Sequence, residues 1–224
     1  MNLRTLVRGA LLLGALTAMF AAQALAVPAM AKKTGAACAA CHTNVAGGAD
    51  LTDAGKAYKA DESKAPADKG TPNEYLGANK CKTCHSKQYK AWADTKHAHA
   101  FEVLANADDA KAAEWAKKMG IELTGKASET KACVTCHVTG DGLPGGYPPA
   151  DAEMLANYTV VGCESCHGPG AAHKAAEKAE KKNFINHAVG EALCKSCHTA
   201  AASPNFNFAE MKEKVHPVPA EGAE

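Results

Sequence analysis

The sequence predicts a mainly α fold with much irregular loop, whose interior is filled by something besides side chains. Three observations carry this. Ala/Lys/Glu-rich stretches with helix start and stop signals recur, and no strand pattern of useful length appears. Gly140–Pro149 holds four Gly and three Pro in ten residues and is a loop. Only 5% of the 224 residues are aromatic, and the 46% hydrophobic share is inflated by Ala and by the first 26 residues. An ordinary apolar core of this size would be thin.

Taken in order, the chain opens on a targeting segment. Arg4 and Arg8 form a basic start, Leu11–Ala22 is uncharged and apolar, and Ala24-Leu25-Ala26 is a small-x-small cleavage site. Ala29-Met30-Ala31 is a second candidate. The apolar run falls short of the ~20 residues of a membrane span, and no later stretch is apolar enough to span. Residues 1–26 are therefore expected to be a signal peptide and the rest an exported, periplasmic or extracellular protein with no transmembrane segment. Residues 27–59 read as a small N-terminal unit, and the polar, Pro-containing 60–73 as a linker. Residues 74–216 form the larger domain, and 217–224 a loose tail. Helices are predicted at Lys87–Ala105, at Asp108–Met119 with Gly120 as C-cap, and at Ala171–Lys182. The net charge of +1 offers no polybasic surface for nucleic acid.

All ten cysteines fall in one motif. Cys38-Ala-Ala-Cys41-His42 is followed by Cys81-Lys-Thr-Cys84-His85 and Cys133-Val-Thr-Cys136-His137. Cys163-Glu-Ser-Cys166-His167 and Cys194-Lys-Ser-Cys197-His198 complete the set. Thioredoxin-like pairs, half zinc sites and five disulfides are the competing readings. None of them requires a His after every second Cys. Five copies of C-x-x-C-H read as five covalently attached c-type haems. The two sulfurs bond the two vinyl groups of one porphyrin, and the next residue's imidazole becomes the proximal iron ligand. Five porphyrins also supply the missing core, so the predicted class is a multihaem cytochrome c with a haem-filled interior. Their propionates make the surface acidic and favour a redox partner with a basic docking face.

Five further histidines remain: His97, His99, His173, His187 and His216. Their number matches the irons and points to bis-His ligation at most of them. Methionine competes, with Met119, Met154 and Met211 inside the chain and Met30 beside the leader. His97 and His99 stand two residues apart in a predicted helix, about 200° around it, so they cannot both reach one haem. His187 also reads as a turn cap. Which distal His serves which iron is not readable from spacing.

Residues 75–216 resemble the cytochrome c-554 family. The resemblance rests on Tyr75-Leu-Gly-Ala-Asn-Lys-Cys81-Lys-Thr-Cys-His85, then Tyr89-x-x-Trp92, then Thr95-Lys-His97-Ala, and on Gly162-Cys-Glu-Ser-Cys-His-Gly-Pro-Gly170 with His173. The second of these is also similar to hydroxylamine-oxidoreductase-like proteins. The resemblance implies a mainly helical four-haem fold with stacked haem pairs. It also implies that His97 and His173 are distal ligands, each to a haem other than its sequence neighbour. The motif at Cys38, Cys41 and His42 is extra to that pattern, and His99 is one candidate to serve it. The family keeps one haem five-coordinate, which five spare His here would put in doubt.

The expected function is electron transfer through closely packed, mostly bis-His haems between exported respiratory partners. An enzyme reducing a small nitrogen or sulfur oxide at one open haem is the second expectation. It has no C-x-x-C-K site behind it, and Asp141, Tyr147 and Tyr158 read as loop or core packing. A subunit of a conductive filament, with a His of one copy ligating a haem of the next, is the third.

Overall fold

The computed structural model describes residues 28–216. The expected leader and the tail from residue 217 lie outside the described residues. The fold is a set of short helices joined by long turns. Among the described residues the only β pairing is one antiparallel bridge between His42 and Leu51.

The first part of the chain holds α1 (Pro28–Thr34), α2 (Cys38–Cys41) and α3 (Asp53–Ala60). Thr52 caps α3 by accepting from the Gly55 N–H. Gly55 is placed where a Cβ would lie 2.0 Å from the Cys41 carbonyl oxygen, so α3 packs on α2 backbone to backbone. Residues 60–73 run back along this unit. Glu62 pairs with Lys33, the Lys69 Nζ donates to the Thr34 carbonyl at 2.9 Å, and the Ala37 N–H donates to the Lys69 carbonyl at 2.7 Å.

The second part carries α4 (Ser86–Ala93), α5 (Ala100–Ala105) and α6 (Asp109–Met119). The single helix expected over Lys87–Ala105 is thus two. Residues 94–99 turn instead, and the His97 carbonyl accepts from the Val161 N–H at 2.9 Å, outside any helix. The α6 prediction holds to the caps: Asp108 accepts from the Lys111 N–H, and Gly120 adopts φ 64°, the left-handed region that glycine enters without strain.

The remaining helices are α7 (Lys131–Val134), α8 (Cys163–His167), α9 (Ala171–Ala175), α10 (Glu191–Cys194) and α11 (Phe208–Met211). The helix expected over Ala171–Lys182 stops at Ala175. Lys181 folds back so that its Nζ donates to the His173 and Lys174 carbonyls at 3.0 and 2.8 Å, satisfying groups a longer helix would have used. Gly140–Pro149 is a turn-rich loop as expected.

The apolar core is thin, as the composition implies. One cluster gathers Leu104, Ala112, Ala127, Val134 and Val138, and a second gathers Ala78, Trp92 and Val160. Four of the C-x-x-C-H runs sit outside these clusters, while the third gives Val134 to the first cluster and packs Cys133 against it; all ten cysteines are only partly covered or exposed.

Candidate haem sites

Each attachment run forms a helical turn or a succession of tight turns. In four of the runs the histidine N–H bonds back to the carbonyl of the first cysteine or the residue after it, as from His42 to Cys38 and His198 to Cys194 at 2.8 and 2.9 Å, and the remaining run is itself the helix Cys163–His167. All ten cysteines are free of disulfides. Among the described residues no three His, Cys, Asp or Glu side chains converge as a bare metal ion would need.

The histidines instead come together in twos. His85 faces His173 with ring centroids 6.2 Å apart and planes 28° apart. His167 faces His216 at 6.1 Å and 24°, and His97 meets His198 at 5.9 Å and 70°. Two imidazoles on opposite sides of one metal, each with a bond of about 2 Å and a further ~1 Å from nitrogen to ring centre, have centroids about 6 Å apart. The three pairs fit an iron whose four equatorial positions are filled by a macrocycle. Each pair joins the His of one motif to a His remote from it in sequence.

The outer nitrogens are fixed too. Nδ1 of His173 lies 2.8 Å from the Lys181 carbonyl, that of His167 2.7 Å from the Asn186 carbonyl, and that of His137 2.6 Å from the Ala100 carbonyl. Nδ1 of His198 lies 2.9 Å from Ser203 Oγ. An N–H donated there leaves Nε2 with its lone pair free for a metal. Burial lowers the pKa of His97, His167 and His198, and a nearby imidazole adds to this at His97 and His167. Each is therefore held in the neutral form that binds metal.

His99 and His187 enter no such pair. Both nitrogens of His99 are engaged, Nδ1 with Glu102 at 3.1 Å and Nε2 with the Ala93 carbonyl at 3.2 Å, and Glu102 raises its pKa. His187 is exposed. His42 and His137 accordingly face no second imidazole among the described residues.

The motifs also neighbour one another. The side chains of Cys81 and Cys163 meet, as do those of Cys136 and Cys197, and Cys166 lies near Cys194 and Cys197. The first motif lines a cavity of about 420 Å³ whose far wall includes Ser165, Cys166 and Gly168 of the fourth motif.

Residues 80–168 match the family model described as cytochrome c554 and c-prime. Over these residues the chain is similar to the cytochrome c-554 family. A curated relative, the cytochrome c-554 of Nitrosomonas europaea, is 34% identical over 139 residues, which are 55% of this chain and 57% of the relative. The c-554-like chain thus spans little more than half of that protein's length. A solved structure of reduced cytochrome c554 from the same organism is 29% identical, over 64% of this chain and 84% of the other, with a TM-score of 0.47.

Two carboxylates that support these sites carry no motif of their own. Asp141 is 2% exposed at its side chain and takes Lys32 at 2.6 Å, Thr135 at 2.6 Å and Lys131. Burial pushes its pKa up, but these donors outweigh it and hold it below the ordinary value. Sequence reading assigned Asp141 to loop or core packing; Thr135 and Lys131 lie 6 and 10 residues from it, but Lys32 lies 109 away, and no local pattern reveals that tie. Glu164, inside the fourth motif, is 3% exposed. It accepts from the N–H groups of Leu76 (2.9 and 3.1 Å), Gly77 (2.8 Å) and Gly170 (2.8 Å). No spacing rule marks it.

Proposed function

We propose that the c-554-like chain is a pentahaem c-type cytochrome that carries electrons between exported redox partners and does no bond chemistry of its own. The observation that supports this most is the three imidazole pairs about 6 Å apart, each arranged as the two axial ligands of one iron. Cys38 and Cys41, Cys81 and Cys84, Cys133 and Cys136, Cys163 and Cys166, and Cys194 and Cys197 would hold five haems as thioethers. His42, His85, His137, His167 and His198 would be the proximal ligands. His173 would complete the site of His85, His216 that of His167, and His97 that of His198. A bound haem supplies a reversible one-electron iron couple.

The residues do the rest. At the three paired sites two histidines would hold the haem iron between them and leave a small substrate no place to bind there. The outer N–H bonds of His167 and His173 would keep each ring in one tautomer and one orientation toward a bound haem. The side-chain neighbours set the order of sites as second, fourth, fifth, third, with the first joined at the fourth. That order departs from the order along the chain. The propionates would give the surface an acidic character and favour a basic partner face.

A second reading is favoured by one observation. His137 is anchored by its Nδ1 yet faces no second imidazole among the described residues. An open position at the third site would let a small nitrogen or sulfur oxide bind there. The filament reading has no observation of comparable weight.

The test is the absorption spectrum of the dithionite-reduced protein before and after carbon monoxide, with haem counted per chain. Five haems with unchanged bands on CO addition are expected of a pure carrier. A shift of about one fifth of the haem that is lost when Cys133 and Cys136 are both replaced by Ser would establish the open third site instead. The absence of haem bands would overturn both readings.

A further inference from the structure

We propose that the thioether of Met30 is the second axial ligand at the first site, and that this site is the high-potential terminus of the array. The proposal rests on the haem reading of Cys38, Cys41 and His42 given above.

The cavity of about 420 Å³ at this motif is lined by Cys38, Cys41 and His42 together with Met30, Ala31 and Thr34 of α1. Helix α1 is held firmly in that position. Lys32 reaches Asp141 at 2.6 Å, Lys33 pairs with Glu62, and the Thr34 carbonyl takes the Lys69 ammonium at 2.9 Å. Three successive residues thus tie to two segments, 60–73 and the loop holding Asp141, and Met30, one turn back, lines the cavity. Thr34 Oγ1 donates to the Met30 carbonyl at 2.8 Å, which fixes that turn.

Other candidate donors in the wall are already committed. Both oxygens of Glu164 accept backbone N–H groups. Cys166 belongs to the fourth motif. Lys59 is exposed at the rim, and an ammonium has no lone pair to give. Tyr58 is 4% exposed and its hydroxyl is buried without a partner. A phenol O–H in that state calls for an acceptor, and a propionate of the group filling the cavity supplies one. His187, between the wall residues Asn186 and Ala188, is turned out to solvent. A thioether needs no proton removed and is an established haem ligand that raises the potential above that of a bis-His site.

The thioether therefore places this site above the bis-His sites, and its contact with the fourth motif across the shared cavity makes it a branch end.

The experiment uses the mature holoprotein and three variants. The wild type is expected to show the weak red charge-transfer band of a thioether-ligated ferric haem and one redox step above the others. Met30→Ala is expected to lose that band while the haem count and helical circular dichroism stay unchanged. Met30→His is expected to lose the band and bring the high step down among the rest. His187→Ala is expected to change neither. Survival of the band in Met30→Ala, its loss in His187→Ala, or a mature N-terminus beyond Met30 overturns the proposal. A wild-type chain carrying no haem at Cys38 and Cys41, read by peptide mass, overturns the haem assignment of the first motif itself.

Discussion

Asp141 joins three parts of the chain through one carboxylate. Lys32 comes from α1, Lys131 from α7, and Thr135 from within the third attachment motif. Replacing it with Asn removes the charge that all three donors address, and hydrogen bonds to a charged group contribute about 1.5–3 kcal/mol each. Because both lysines can turn toward water, Asp141→Asn is expected to cost about 2 kcal/mol in total, read as a fall in the guanidinium midpoint of the holoprotein. The pH dependence has a definite sign. A folded-state pKa below the unfolded one gives stability that is fully present above the ordinary carboxylate range and is lost as pH falls through the folded value. Asp141→Asn is therefore expected to flatten the acid limb of stability, with the two proteins converging at low pH. Little of this was legible in the sequence. The C-x-x-C-H runs announce themselves because covalent chemistry dictates their spacing. Asp141 and Glu164 act through partners up to 109 residues away, and nothing local encodes that.

At the level of elements, the contact between α2 and α3 allows no side chain at residue 55. A Cβ there would stand 2.0 Å from the Cys41 carbonyl oxygen, and a backbone atom cannot swing aside. Gly55→Ala is expected to destabilise the first unit by about 1–3 kcal/mol, seen as lower haem occupancy at Cys38 and Cys41 with the other sites intact by peptide mass. Helix α6 was fully readable because its caps are local: Asp108 and Gly120 bracket it within the sequence itself. The two longer predictions failed where tertiary partners won. The 94–99 turn is held by Val161, and α9 is cut short by Lys181. Both breaks lie beside a paired histidine, His97 and His173, whose aim a continuous helix would have fixed differently.

Across the whole molecule, the fourth motif is the junction. It meets the second through Cys163, the fifth through Cys166, and the first across the shared cavity. With so small an apolar core, attached haem is expected to do much of the folding work. Replacing Cys163 and Cys166 with Ser together is expected to lower haem content by more than one per chain and to cut the yield of folded protein. The same change at Cys38 and Cys41 is expected to lower it by one only. Haem-to-protein ratio by pyridine haemochrome checks both, and equal losses would remove the fourth motif from its central place. The multihaem class and mainly helical fold were legible in composition and motif. The pairing of distal to proximal histidines was not, because it is a property of the closed chain.

The buried carboxylate of Glu164 also bears on the order of events during maturation. Its N–H partners at Leu76 and Gly77 lie 88 and 87 residues upstream, and that at Gly170 only six downstream. Until the distant segment arrives, the short stretch between Cys163 and Cys166 stays open to solvent and to whatever enzyme joins its sulfurs to porphyrin. Once Leu76 and Gly77 dock, the same stretch is shut. Glu164 therefore ties the stretch between Cys163 and Cys166 to a segment almost ninety residues away, and that tie exists only in the closed chain.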